Sequence, residues 1–247
     1  MKSDLPKVLH LLGERPVLSY VLDVAKAIGA EKTVVIVGHG ADRVRETFPD
    51  NDLIFVEQHQ QLGTGHAVLQ ARGCFLNYDG LVVILCGDVP LLRPETISEL
   101  VSRHQAENSM LTVLTAVLDD PGAYGRIVKS DEGRVVQIVE QRDATEREKL
   151  IREINTGIYC VDSRFLFSAV EEIGRNNAQG EYYLTDIVGI AVAKGYRVGA
   201  LVAGDAFEVM GINTPDDLER ASQRMEDCCT QTKKGGAAAA SLKLKKS

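Results

Sequence analysis

The chain's 247 residues, 45% hydrophobic and 26% charged, have ordinary globular composition and suit one large α/β domain, with or without a small subdomain. A net charge of −7 argues against nonspecific binding to nucleic acid or an anionic membrane, and no apolar stretch approaches the length of a membrane span. The opening MKSDLPKVLH lacks the apolar core of a signal peptide, so a cytoplasmic location is expected.

Pro16 to Ile28 carries apolar residues at helical spacing, with Pro near its start and Gly29 after it. Thr33 to Val37 reads as a buried strand, Ala41 to Thr47 as a short polar helix, and Leu53 to Glu57 as another strand. Gln58 to Ala67 (QHQQLGTGHA) is a Gly-rich turn leading into a helix over Gly65 to Ala71. Glycines there let backbone amides approach a ligand, although taken by itself the turn is better accounted for by an ordinary strand-to-helix connection. Leu81 to Pro90 (LVVILCGDVP) is an apolar run that stops at Gly87-Asp88. It reads as a strand buried on both faces in the middle of a parallel sheet. Asp88 then sits at the sheet's carboxyl edge, where it can hold a divalent cation against phosphate oxygens; alternatively it closes a turn or caps the next helix. Pro94 to His104 is a helix and Met110 to Val117 a strand. This alternation predicts an α/β fold with a doubly wound, mainly parallel sheet.

The pattern changes after Asp119. Arg126 to Lys129 and Arg134 to Val139 flank Asp131-Glu132-Gly133 as a hairpin, and Glu153 to Val161 is a further strand. Helices at Ser163 to Ile173 and Thr185 to Lys194, a strand at Arg197 to Val202 and a helix from Thr214 to about Asp227 complete the series. The added strands suit a small β-rich substrate subdomain at the mouth of the sheet. Residues 1–227 thus form one domain, and 228–247 (CCTQTKKGGAAAASLKLKKS) read as a low-complexity, disordered tail. The five cysteines (Cys74, Cys86, Cys160, Cys228, Cys229) lack C-x-x-C spacing and suggest neither a disulfide framework nor zinc; Cys86 and Cys160 read as small core residues.

Seven strings occur in one order: SDLPKVLH, QLGTGHA, GDVPLL, DDPGAYGRIV, IVEQRDAT, EINTGIY and NNAQGEYYLTDI. Together, from Met1 to about Met225, they resemble the N-terminal uridyltransferase domain of the bacterial bifunctional N-acetylglucosamine-1-phosphate uridyltransferase/glucosamine-1-phosphate acetyltransferases. The resemblance implies a Rossmann-like nucleotide-diphospho-sugar transferase fold. It implies transfer of uridylyl from UTP to N-acetylglucosamine-1-phosphate with Mg²⁺, both substrates being small molecules and neither nucleic acid nor membrane a partner. Carried over by motif, Asp88 and Asn213 hold the metal, Gln58, Gly63 and Thr64 read the uracil, and Gly125, Glu140 and Asn155 contact the acceptor sugar. Lys7 lies by the phosphates.

Each residue also has a plain alternative: Lys7 a solvated lysine, Glu140 the end of a strand, Asn155 a turn former, Asn213 a helix cap. His66 reads as an ordinary helix residue, because the attacking phosphate oxygen is already ionised and asks for no base. Tyr182 and Tyr183 read as packing or loop anchors.

The family opens with an apolar strand and the Gly-rich loop L-A-A-G-x-G-T-R-M, and the match here begins at that motif's methionine. The first central strand is then missing, and a biological start upstream of Met1 is expected. Without it, two strands lose their shared partner, and a rearranged sheet, low stability and little transferase activity follow. The family's trimerising β-helix has no counterpart after Met225, so acetyl transfer and trimerisation are not carried over. Two other functions stay open: a nucleotide-sugar-binding module without catalysis, and a related nucleotidyltransferase with another base or sugar.

Overall fold

The computed structural model describes residues 5–227. The expectations placed on Met1, on Ser3 and Asp4, on Cys228 and Cys229 and on the tail lie outside the described residues. After a 3₁₀ turn (Lys7–Leu9) come the short strands β1 (Leu11–Leu12) and β2 (Arg15–Pro16). Then follow α1 (Val17–Ala27), β3 (Thr33–Val37), α2 (Ala41–Thr47), β4 (Leu53–Glu57), α3 (Thr64–Gln70), β5 (Leu81–Ile84), α4 (Pro94–Ala106) and β6 (Leu111–Val117). The second half supplies β7 (Arg126–Lys129), β8 (Val135–Val139), α5 (Glu146–Lys149), β9 (Glu153–Asp162), α6 (Ser163–Glu172), α7 (Asp186–Ala193) and β10 (Val198–Val202). A last helix, α8, covers residues 215–227.

Local chemistry sets several of these boundaries. Beyond α1, Gly29 takes φ +72°, and the bonds Ala30 N–H to Ala25 O (3.1 Å) and Gly29 N–H to Lys26 O (3.1 Å) satisfy carbonyls that the helix end would leave open. Asn108, at φ +48°, does the same after α4. At the start of α6 the Asp162 side chain accepts from Phe165 N–H at 2.9 Å.

Six strands make the main sheet, in the order β10-β6-β9-β7-β8 with β5 also paired to β9. β6 and β10 are parallel, and β9 runs antiparallel to both β5 and β6, so β5, β6 and β10 point the same way. The long β9 is shared along its length. Tyr159–Asp162 lies between β5 and β6, whereas Glu153–Asn155 lies beside β6, with Ile154 paired to Arg126 of β7. The hand-over falls at a register shift in β6 and at Gly157, which takes φ +79°. A Cβ there would stand 2.7 Å from Cys86 Sγ, so the turn after β5 approaches β9 more closely than a side chain permits.

One face of the sheet packs Leu111, Val113, Tyr159 and Val161 against α6 and α7. The other packs Leu114, Ala116, Ile158 and Cys160 against Ile97 and Leu100 of α4. This helix–sheet–helix layering is the α/β architecture expected. No helix of the described residues is long and apolar enough to cross a membrane.

β5 departs from its expected setting. Leu81–Ile84 is half-buried throughout, whereas β6 is buried along six successive residues. Among the described residues its one ladder is with antiparallel β9, and its other edge pairs with no strand. Among the described residues β3 likewise pairs only with β4, as a separate parallel two-stranded sheet. A cavity of about 1420 Å³ separates the two, lined by Val34, Val35 and Ile36 of β3 and by Val82, Val83 and Ile84 of β5. Among the described residues no strand pairs with β5 on the side facing β3, and the apolar run is half-buried there.

Candidate active site

Three groups of side chains gather at the end of the sheet where β4 and β5 finish and β9 begins. The first is built around Asp88. Beyond Ile84 the chain turns, closed by Val89 N–H to Cys86 O at 3.2 Å, and the buried Val89 and Leu92 fix the turn in the core. The segment 209–213 crosses over it: Ile212 N–H donates to Asp88 O at 2.8 Å, and a Cβ on Gly211 would stand 3.3 Å from Asp88 Oδ2. Buried Val209 and Ile212 hold that segment down. So does buried Glu208, whose carboxylate accepts from Arg93 Nε at 2.6 Å and from Thr96 Oγ1 at 3.0 Å. Lys7, carried on the 3₁₀ turn, donates to Asn213 Oδ1 at 2.8 Å and forms an ion pair with the Asp88 carboxylate.

Lys7, Asp88 and Asn213 therefore meet. The cap of α8 falls to Thr214 and not to Asn213: Thr214 Oγ1 accepts from Asp217 N–H at 3.1 Å, and Asp217 Oδ2 accepts from Thr214 N–H at 2.8 Å. One carboxylate and one amide oxygen are hard donors of low total charge, suited to a divalent cation that takes its remaining ligands from phosphate and water. No group of three or more His, Cys, Asp or Glu able to hold a metal occurs among the described residues. The Cys86 thiol beside this corner is pushed up to about 12, chiefly by burial, and is no nucleophile.

The second group is the Gly-rich turn. Gln58 follows β4 directly, and its Nε2 lies 3.0 Å from Gly63 O and 2.9 Å from His66 Nδ1. His66, read from the sequence as an ordinary helix residue, thus helps to position the Gln58 amide. Gly63 takes φ +112°, and a Cβ there would stand 2.6 Å from Tyr182 O. The turn is fastened to residues 182–184: Tyr182 N–H donates to Leu62 O (2.8 Å), Gly65 N–H to Tyr182 O (2.8 Å) and Leu184 N–H to Thr64 Oγ1 (2.9 Å). The Glu181-Tyr182-Tyr183-Leu184 string is therefore a clasp for the turn, through its backbone.

The third group is Gly125, Glu140 and Asn155. Asn155 N–H donates to Gly125 O at 2.9 Å. Its Oδ1 accepts from Gly157 N–H and from the Tyr159 hydroxyl, both at 3.0 Å. Glu140 Oε1 accepts from Thr185 Oγ1 at 3.1 Å, and a Cβ on Gly125 would lie 3.5 Å from Glu140 Oε2. Burial, reinforced by the carboxylates of Asp143 and Asp186, holds the Glu140 carboxyl above its ordinary value despite the Thr185 hydrogen bond. Arg126, buried and not singled out in the sequence, braces the loop before it by donating to Gly122 O at 3.0 Å and to Tyr124 O. The only cue to it was its place after Tyr124-Gly125.

The three groups are linked. Thr185 follows the clasp of the Gly-rich turn, Gly157 touches Cys86 two residues before Asp88, and the Tyr124 hydroxyl accepts from Gly211 N–H at 3.3 Å. All lie at the carboxyl end of the parallel strands, the end at which open α/β sheets bind ligands.

In sequence, the chain is 48% identical over 224 residues to the bifunctional protein GlmU of Geobacter metallireducens, covering 90% of this chain and 47% of that protein. It is 47% identical over 226 residues to the bifunctional protein GlmU of Halalkalibacterium halodurans, covering 92% and 50%. The chain spans about half the length of the curated relatives it matches. In backbone it is similar to UDP-glucose pyrophosphorylase solved with UDP-glucose, with a TM-score of 0.71 at 18% identity over 90% of this chain and 91% of that one; at this identity the likeness concerns the fold alone. The family model described as nucleotidyl transferase matches residues 2–227. The chain belongs to the nucleotidyl transferase family.

Proposed function

We propose that this domain transfers uridylyl from UTP to N-acetylglucosamine-1-phosphate, giving UDP-N-acetylglucosamine and pyrophosphate. The observation that carries the reading is the meeting of Lys7, Asp88 and Asn213 next to the Gly-rich turn and the Glu140–Asn155 group. The relatives named GlmU support it. A phosphate oxygen of the sugar phosphate attacks the α-phosphorus; the new P–O bond forms as the bond to the β-phosphate oxygen breaks, and pyrophosphate leaves. The attacking oxygen is already ionised, so the residues orient the reactants and neutralise their charge. Mg²⁺ fits the Asp88–Asn213 oxygen pair and, when bound, supplies positive charge to the phosphates.

Lys7 brings its ammonium to the same place. Gln58, Gly63 and Thr64 offer amide and backbone groups to the base. Both lone pairs of Asn155 Oδ1 are used internally, so its Nδ2 is the donor that faces an acceptor oxygen of the sugar, while Glu140 accepts from sugar hydroxyls. A cytoplasmic setting belongs to the same reading. Pyrophosphate release from UTP and N-acetylglucosamine-1-phosphate tests it, with other nucleoside triphosphates as a panel for base choice. No release from this chain, nor from a form extended at its amino end by an apolar strand and Gly-rich loop, overturns it. Tight binding of UDP-N-acetylglucosamine without turnover in either form supports the non-catalytic module instead.

Glu140 gives a second test. Because its carboxyl lies above the ordinary value in the folded chain, the native state holds that proton more readily than the unfolded state. Stability is therefore lost as pH rises through the interval between the unfolded and folded values, and the cost is fully present above it. Glu140→Gln will be more stable than the parent at neutral pH. The gap will close as pH falls to 4.5, the ordinary carboxyl value, as read by urea midpoints across pH. Its KM for the acceptor will rise about tenfold, the cost of about 1.4 kcal/mol of charge-assisted hydrogen bonding. A gap that does not change with pH contradicts the assignment.

A further inference from the structure

Lys7 Nζ stands against the same two side-chain oxygens, on Asp88 and Asn213, that form the cation donor pair. The backbone beneath it is fixed: Leu9 N–H donates to Pro6 O at 2.9 Å, His10 N–H donates to Lys7 O at 3.3 Å, and Leu9 is buried. Only the flexible four-carbon stem of Lys7 is left to move. A hard divalent cation holds oxygens at about 2.0–2.1 Å, and an ammonium needs about 2.8 Å to the same atoms, so the two positive charges would stand nearly on top of one another.

We propose that Lys7 is a built-in placeholder for the divalent cation: its ammonium occupies the Asp88–Asn213 seat and is expelled when the metal binds. This rests on the proposed function, which makes Asp88 and Asn213 the metal donors. Without a cation, Lys7 keeps the buried side of Asp88 paired and ties Asn213, and with it the 209–213 segment, to the turn after β5. With a cation, Lys7 is released at the rim of the seat, where its charge is available to a phosphate. Linkage then makes the two ligands mutually supportive: the lysine weakens the metal taken alone, and an anion that draws the lysine away strengthens it.

The test is Mn²⁺ binding in the absence of nucleotide, followed by electron paramagnetic resonance of the free ion, for the parent chain, Lys7→Met and Asp88→Asn. Circular dichroism confirms that each is folded. The expected result is that Lys7→Met binds Mn²⁺ about tenfold more tightly than the parent. The ratio should persist in 1 M salt, where the Debye length is about 3 Å and through-space repulsion is screened. Equal or weaker binding by Lys7→Met overturns the placeholder, and so does a gain that vanishes in high salt. Asp88→Asn separates this from the proposed function. If it binds Mn²⁺ as well as the parent does, the metal seat itself is wrong; if it loses binding while Lys7→Met gains nothing, the seat stands and the placeholder falls.

Discussion

Replacing Asp88 by alanine will lower turnover by at least about 10³-fold, equivalent to about 4 kcal/mol of transition-state stabilisation, while shifting the melting temperature by only a few degrees. The two effects separate because the side chain and the backbone of Asp88 serve different ends. The carboxylate reaches Lys7 and supplies a negative donor next to the Asn213 side-chain oxygen. Two anions must approach each other here, so a weakened grip on the neutralising cation is felt almost wholly in the barrier. The backbone carbonyl accepts from Ile212, a bond that alanine keeps, and the turn is held by buried Val89 and Leu92. The lost ion pair involves side chains 22% and 38% exposed, a setting in which such pairs contribute about 0–1 kcal/mol. For a chain of this size that corresponds to about 2–4 °C. Pyrophosphate release and a thermal melt on the same preparation read both quantities. Turnover within tenfold of the parent removes Asp88 from the chemistry, and a collapse in melting temperature reassigns it to the fold.

The strand and helix series was legible because burial on a layered sheet leaves two clean periods. Thr33–Val37 and Leu53–Glu57 stand where their apolar runs place them, and α1 ends just before Gly29, as that glycine predicts. Pairing was less legible. Nothing in Glu153–Val161 announces that β9 enters antiparallel between β5 and β6, because a strand's side-chain alternation is the same in either direction. α5 has no buried residue and so no apolar period; it stands on a capping box between Thr145 and Glu148, whose T-E-R-E signature was visible and passed over.

Asp88 and the Gly-rich turn stood out from the pattern itself, whereas the other candidate site residues entered only through motif resemblance. Lys7 lies 81 residues from Asp88 and 206 from Asn213, and such separations carry no geometry until the sheet brings them together. The bracing residues Glu208 and Arg126 were missed for a related reason. The partners of Glu208 lie 115 and 112 residues away, and Arg126 spends its guanidinium on backbone carbonyls, which no residue type marks, so in the sequence each looks like any solvated charge.

An apolar strand supplied to the cleft between β3 and β5 will raise the melting temperature by about 10 °C and protect the amides of both strands from hydrogen exchange. Among the described residues each of these strands has one edge with no paired strand, and half-buried Val34, Val35, Ile36, Val82, Val83 and Ile84 line the cavity between them. A five-residue partner, matched to β3, is roughly 17 Å long. Burying five β-branched side chains contributes about 1.5–3 kcal/mol each, offset by about 1–2 kcal/mol per residue of backbone ordering. Hydrogen bonds along two open edges are gained as well, so the net gain is a few kcal/mol, at about 2–4 °C per kcal/mol. Leu5, Pro6 and Val8 also line the cleft, so a strand joined at the amino end by a short Gly-rich connection can reach it. The comparison uses the chain with and without a Val/Ile-rich extension of that kind. A second extension of equal length has proline at successive positions, which removes the N–H donors facing both edges, so it cannot complete either ladder. Protection that appears in β3 and β5 with the first extension and not with the proline form establishes strand insertion. Stabilisation by both forms alike reduces the effect to greasy contact with the cavity wall, and stabilisation by neither means that the two edges do not accept a common partner.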